Sequence, residues 1–144
     1  MLTGIGPVPA IQKLLQRTGL SLNQIDLFDV NEAFAPQWLG VQRELDIDPE
    51  KCNINGGAIA LGHRKYIIIN MYTYIIYIYY ILCLHIFIYS FIFVIALGAS
   101  GARILTNLTY ELVRSKSTLR PIKYAIGGAC IGGGQGVAVL LENC

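Results

Sequence analysis

The sequence predicts a layered α/β domain interrupted by a hydrophobic insert, and three observations carry that prediction. Stretches of helical periodicity alternate with short apolar strands, the arrangement in which helices cover a sheet. The chain closes on two strand-like runs separated by Gly132-Gly133-Gly134-Gln135, a natural antiparallel hairpin connection. No Lys, Arg, Asp or Glu occurs between Lys65 and Arg103, although both sides of that gap look like an ordinary α/β protein. At 144 residues and net charge +2, the chain fits one domain with a real core. It shows neither a nucleic-acid footprint nor an acidic-partner field.

In chain order, Pro7 to Leu20 predicts a helix. Pro9 suits its first turn, Ile11, Leu14, Leu15 and Thr18 share one face opposite Lys13, Gln16 and Arg17, and Gly19 is the stop signal. Ser21 and Gln24 have the spacing of a capping box, so a short helical turn is expected. Ile25 to Val30 reads as a brief strand ending at Asn31-Glu32. Phe34 to Leu45 is expected to be helical with Trp38, Val41 and Leu45 inward. Asp46 to Lys51 is a polar connection and Cys52 to Asn55 a short strand. Ser100 to Arg114 has strong helical periodicity, with Ile104, Leu105, Leu108 and Leu112 on one side. Ser115 to Pro121 reads as a loop, and Lys123 to Ile131 with Gly136 to Glu142 as the two strands of the terminal hairpin.

The segment from Arg64 to Ala96 contains 11 Ile, 7 Tyr and 3 Phe, and neither Gly nor Pro. It is long enough for a bilayer span, which needs roughly 20 apolar residues. Natural spans gather Tyr at the interfaces, however, whereas Tyr72, Tyr74, Tyr77, Tyr79 and Tyr80 crowd the middle here. Ile, Tyr and Phe share AT-rich codons, so the segment resembles translated non-coding sequence such as a retained intron. A helix through it would be about 48 Å long and would put His63 and Leu97 on opposite sides of a membrane. A span and an intact domain are therefore mutually exclusive, and in a folded domain the insert is expected to loop out as a hairpin or disordered excursion. The competing reading is a non-catalytic protein tethered to a membrane through residues 66–96.

Cys52, Cys83, Cys130 and Cys144 include no CxxC pair and no zinc-type spacing with His63 or His85. A disulfide framework is not expected without a secretory signal. The opening residues lack both the basic and the apolar region of a signal peptide and the Arg-rich start of a transit peptide. A chain that opens inside folded-looking sequence suggests a fragment or a truncated gene model.

Three motifs carry chemistry: Asn31-Glu32-Ala33-Phe34-Ala35, the Gly56-to-His63 loop GGAIALGH, and Cys130-Ile131-Gly132-Gly133-Gly134-Gln135-Gly136. Singly each has a bland reading, as a strand-to-helix junction, a tight turn, or a small buried thiol beside a hairpin. Together, in this order, they resemble the thiolase family, and specifically its C-terminal domain. The resemblance covers the chain except Arg64 to Ala96, giving residues 1–63 as the first part of the domain, 64–96 as the insert and 97–144 as the second part. It implies an acyltransferase that cleaves 3-ketoacyl-CoA with coenzyme A in fatty-acid β-oxidation, in the mitochondrial matrix. Coenzyme A is then a substrate, and no cofactor or metal is implied.

Thioester cleavage of this kind needs a thiolate nucleophile, an acid/base group and donors for a developing oxyanion. The resemblance assigns His63 and Asn31 to one oxyanion hole, Cys130 to acid/base work and Gly132 to a second hole. The family also uses an acylated cysteine from its N-terminal half, which none of Cys52, Cys83 or Cys144 matches. The chain alone is therefore expected to be inactive. Family members assemble through that other half, so the resemblance implies nothing about oligomeric state. In the family the His is followed by Pro-Leu-Gly, whereas here Arg64 to Ala96 stands in place of that Pro.

Overall fold

Helix α1 (Pro7–Thr18) begins with Pro7 at its first position, where a fixed φ and a missing N–H are no handicap. In the computed structural model, residues 4–60 and 84–144 are described, and over 84–98 the description is of the backbone. α1 stops at Gly19, whose left-handed φ of 71° ends the helix as its residue type predicts. Val8 and Ile11 are buried, with Leu14 and Leu15 packed against the same cluster. Thr18 departs from the expected face. It is exposed, and its hydroxyl donates back to the carbonyls of Leu14 (3.0 Å) and Leu15 (3.2 Å), a satisfaction open to any Thr at a helix end. The Ser21–Gln24 spacing forms the expected single turn, in which the Ser21 N–H donates to Gln24 Oε1 at 2.8 Å.

Strand β1 (Leu27–Val30) is buried along its whole length. It runs parallel to β2 (Tyr124–Ile131), in register from Leu27↔Ala125 to Val30↔Gly128. β2 turns back antiparallel into β3 (Gln135–Glu142), so the sheet order is β1-β2-β3. The two-residue period of the strands assigns the faces. Phe28, Val30 and Ile126 join Val8, Ile11, Val41 and Leu45 in one cluster. Leu27 and Ala125 join Ile104, Leu108 and Leu112 in the other. The result is the expected layering, a sheet covered on both faces, and it explains why β1 reads as continuously buried rather than alternating.

Helix α2 (Ala35–Leu45) buries Val41 and Leu45. Its start is closed by the buried Gln37, whose Oε1 accepts the N–H groups of Ala33 (3.1 Å) and Phe34 (3.4 Å). Past it, the expected strand at Cys52 to Asn55 does not form. Cys52 alone makes a parallel bridge to Phe28, and Asn53 takes a left-handed φ of 49° that turns the chain away. The Asn53 carboxamide completes the edge of β1 instead. It accepts from the Val30 N–H (2.9 Å) and donates to the Val30 carbonyl (3.1 Å), as a neighbouring strand would.

Helix α3 (Leu84–Ser115) starts well before Ser100. Residues 84–96, expected to belong to a looped-out excursion, continue the helix of the domain. A helix already nucleated and packed at Ile104, Leu108 and Leu112 extends upstream without a second nucleation cost, and no proline interrupts it. Leu105 is 40% exposed, because the stripe in contact with the sheet is the single i, i+4 row of Ile104, Leu108 and Leu112. Gly127 fits beneath that row, since a Cβ there would press on Ile104 and Leu108. Residues 61–83, which include the rest of the inserted segment (64–83), lie outside the described residues. Among the described residues, no helix is long and apolar enough to cross a membrane.

One charged contact crosses the α3 face of the sheet. Asp29 is 1% exposed and receives both guanidinium nitrogens of Arg103, at 3.3 and 3.2 Å, and Asn107 Nδ2 at 2.7 Å. A buried carboxylate is tolerable because the donors come as a fork and an amide together.

Candidate active site

The carboxyl ends of parallel strands are where α/β sheets open towards ligands. Asn31 stands immediately beyond β1, and its N–H donates to the Gly128 carbonyl at 2.8 Å, which fixes it against β2. Its Oδ1 is buried and has no hydrogen-bond partner among the described residues. Such a group is uncommon, since most buried polar atoms are paired, and an acceptor left open at a strand end suits an incoming donor.

β2 carries on two residues past Gly128 to Cys130, which lies at the same end of the sheet, opposite Gly136 on β3. Its thiol is free and half-buried. The chain then makes a single turn over Gly132–Gly134, with Gly133 at φ 80°, a conformation that favours glycine. A Cβ placed on Gly132 would meet nothing within 4 Å, so the backbone there borders open space. The start of β3 is pressed against the start of α1. A Cβ on Gly136 would fall on the Gly6 carbonyl, and one on Gly6 would fall on the Gln135 carbonyl. Asn31, Cys130 and Gly132 are thus brought to one end of the sheet. His63 lies outside the described residues.

The loop leading towards His63 is described as far as Ala60 and is held by polar side chains. Glu32 Oε1 accepts from Asn53 Nδ2 at 2.8 Å, and Glu32 Oε2 accepts from the Ile59 N–H at 3.0 Å. Gly57 lies so close that a Cβ would overlap the Glu32 carboxylate. On its other side, Asn55 Nδ2 donates to Asn107 Oδ1 (3.0 Å) and Glu111 Oε1 (2.8 Å) on α3. Glu111 also pairs with Arg114 at 3.0 Å. The loop before the insert and the part of α3 that follows the insert are therefore joined directly.

Of the other thiols, Cys52 is buried, and burial, helped by the Asp48 carboxylate and opposed by Lys51, pushes it up to about 12. It stays protonated at neutral pH and is no nucleophile. Cys144 is exposed, and Cys83 lies outside the described residues.

The sequence motif contains Glu32 without assigning it a task, and it does not single out Asp29, Asn53, Asn55, Arg103 or Asn107. A signal existed for Asp29, since an acidic residue inside an apolar strand needs a partner. Arg103 and Asn107, four apart on a helix, provide one.

A sheet covered on both faces carries, at the carboxyl ends of its parallel strands, an amide oxygen unpaired among the described residues, a thiol and a glycine turn, the end of the sheet at which α/β domains as a class receive ligands. This chain belongs to the thiolase family: residues 1–65 and 95–143 match the model described as thiolase, C-terminal domain. Over 140 residues it is 47% identical to the mitochondrial 3-ketoacyl-CoA thiolase of Mus musculus, covering 97% of this chain and 26% of that protein. Over 142 residues it is 42% identical to an acetyl-CoA acetyltransferase of Escherichia coli, covering 99% of this chain and 27% of the other. Among solved structures, human mitochondrial 3-ketoacyl-CoA thiolase superposes with a TM-score of 0.71 at 45% identity, over 99% of this chain and 27% of that one. The same human protein in complex with CoA gives the same figures. The chain thus spans about a quarter of the length of the relatives it matches.

Proposed function

We propose that this chain forms the C-terminal part of a thiolase-type acyltransferase that cleaves 3-ketoacyl-CoA with coenzyme A in mitochondrial fatty-acid β-oxidation. The observation that carries this reading is the buried, unpartnered Oδ1 of Asn31 at the strand end shared with Cys130 and Gly132. In the proposed reaction a thiolate attacks the 3-keto carbonyl and the bond between Cα and Cβ breaks. The enolate so released takes a proton from Cys130 and leaves as acetyl-CoA, and the acyl group then passes to coenzyme A. His63 and a water whose proton is accepted by the Asn31 Oδ1 donate to one oxyanion, and the backbone N–H groups around Gly132 donate to the other. The acylated cysteine is not among Cys52, Cys83, Cys130 and Cys144, so these 144 residues give no turnover by themselves.

Residues 64–96 are read as an insertion into this domain, a reading supported by the gap between residues 65 and 95 in the family match. The contacts of Asn55 with Asn107 and Glu111 keep the flanks together whatever lies between them.

Two measurements test the proposal. Acetoacetyl-CoA added to isotope-labelled chain is expected to shift the backbone resonances of Asn31, Cys130 and Gly132, and a spectrum unchanged at all three would overturn the reading of the site. Acetyl-CoA formed by the purified chain from acetoacetyl-CoA and coenzyme A would overturn the statement that the nucleophile is absent.

A further inference from the structure

We propose that Glu32 is the positioning residue of this site, and that its carboxylate locks the Asn53–Ala60 loop to the end of β1 beside Asn31. The inference rests on the reading of the site given above and deepens it. The geometry demands an acceptor on both arms of the side chain. One oxygen takes Asn53 Nδ2 and the other the Ile59 N–H, six residues apart on the loop, and both approach as donors. Asn53 is in turn bonded through the same carboxamide to both backbone groups of Val30, the residue that precedes Asn31. Glu32 therefore joins three things: the last residue of β1, the turn at Asn53 and the second half of the loop at Ile59. Gly57 completes the seat, because any side chain there would displace the carboxylate.

Chemistry distinguishes this role from generic packing. A carboxamide has nearly the shape of a carboxylate but turns one acceptor into a donor. In Glu32→Gln that NH2 group must face either Asn53 Nδ2 or the Ile59 N–H, donor against donor, so one of the two bonds is lost although the volume is unchanged. Glu32→Asp keeps both acceptors and the charge but shortens the arm by one methylene, and it retains at most one bond.

The test uses the full 144-residue chain, isotope-labelled, with amide exchange and amide chemical shifts read together. In wild type the Ile59 amide proton is expected downfield, as a charge-assisted bond requires. Glu32→Gln is expected to move it upfield and to speed exchange across Asn53–Ala60 about tenfold or more, with the amides of β2 unchanged. Glu32→Asp, which retains at most one of the two bonds, is expected to loosen the loop at least as much. Gly57→Ala, which leaves the carboxylate chemistry intact and only fills its seat, is expected to loosen the same loop. Exchange in Asn53–Ala60 that is equal in wild type and Glu32→Gln would overturn the proposal. So would an acceleration spread equally over β2, which would mark Glu32 as a general stabiliser. Coenzyme A titrated into wild type separates the two levels. If it leaves Asn31, Cys130 and Gly132 unmoved while Glu32→Gln still frees the loop, the acyl-transfer reading fails and the assignment of Glu32 as the loop's anchor stands.

Discussion

Two glycine-bearing segments border the same strand ends and are held by opposite means. The Asn53–Ala60 loop is tied down by polar side chains, with Glu32 on one side and Asn107 and Glu111 on the other. The Ile131–Gly136 hairpin is fixed by its own ladder and by backbone pressed on backbone where Gly6 meets Gly136. The first arrangement depends on charge and on donor–acceptor matching. The second depends on the absence of side-chain volume. A site built this way has one wall that a single polar substitution loosens and one that yields only to added bulk.

The largest effect is expected from Arg103→Ala. It leaves the Asp29 carboxylate buried with the Asn107 amide as its remaining described donor, and removing one partner of a buried pair typically costs about 3 kcal/mol or more. Urea denaturation measures the loss. Amide exchange should show the Asn53–Ala60 loop opening with it, because Asn107 is shared between Asp29 and Asn55. A hairpin that loosens while the loop keeps its protection would break the comparison.

Next in size, Gly136→Ala is expected to destabilise by about 1–3 kcal/mol, since the atoms in its way are the Gly6 carbonyl and the Pro7 nitrogen rather than a flexible side chain. Thermal unfolding reads the change, and exchange in Asn53–Ala60 should follow the global stability and nothing more. Within the turn, Gly133→Ala is expected to cost about 1–2 kcal/mol because its φ is 80°. Gly132→Ala, with open space where its Cβ would sit, should change stability by about 0.5 kcal/mol or less. That pair sharpens the comparison, since two adjacent glycines that look alike in sequence would differ in what they contribute.

Periodicity made the layers legible. The helices ending at Gly19 and Leu45, the buried row of Ile104, Leu108 and Leu112, and the terminal hairpin all follow from spacing and from residue types with strong local preferences. What escaped was settled by contacts distant in sequence. Asn53 replaces a strand with its side chain, a substitution visible only once Val30 is beside it. Leu105 is exposed because the helix contacts the sheet along one row. The helical continuation over residues 84–98 was hidden because composition separates that segment from Ser100–Arg114 while the backbone does not. For the site, motif order pointed to Asn31, Cys130 and Gly132, which the sheet register brings to one end. The anchoring work of Glu32 was not legible, since its partners lie 21 and 27 residues away.

The last comparison concerns the thiols. Cys144 is exposed, Cys130 half-buried and Cys52 buried, so alkylation of the folded chain should proceed in that order, with Cys52 modified on unfolding. The Cys52 thiol is raised to about 12, above its unfolded value. It therefore adds stability that is intact below about pH 9 and is lost as pH rises towards 12, and denaturation midpoints measured across that interval should decline. Cys130 offers the finer test, because it immediately precedes the backbone-held segment and pairs with Gly136 within the ladder. Its alkylation rate, followed by mass spectrometry, should rise in Gly136→Ala and stay at the wild-type value in Glu32→Gln. A rate that answered to Glu32 would mean that the two walls move together, and the separation drawn between them would be wrong.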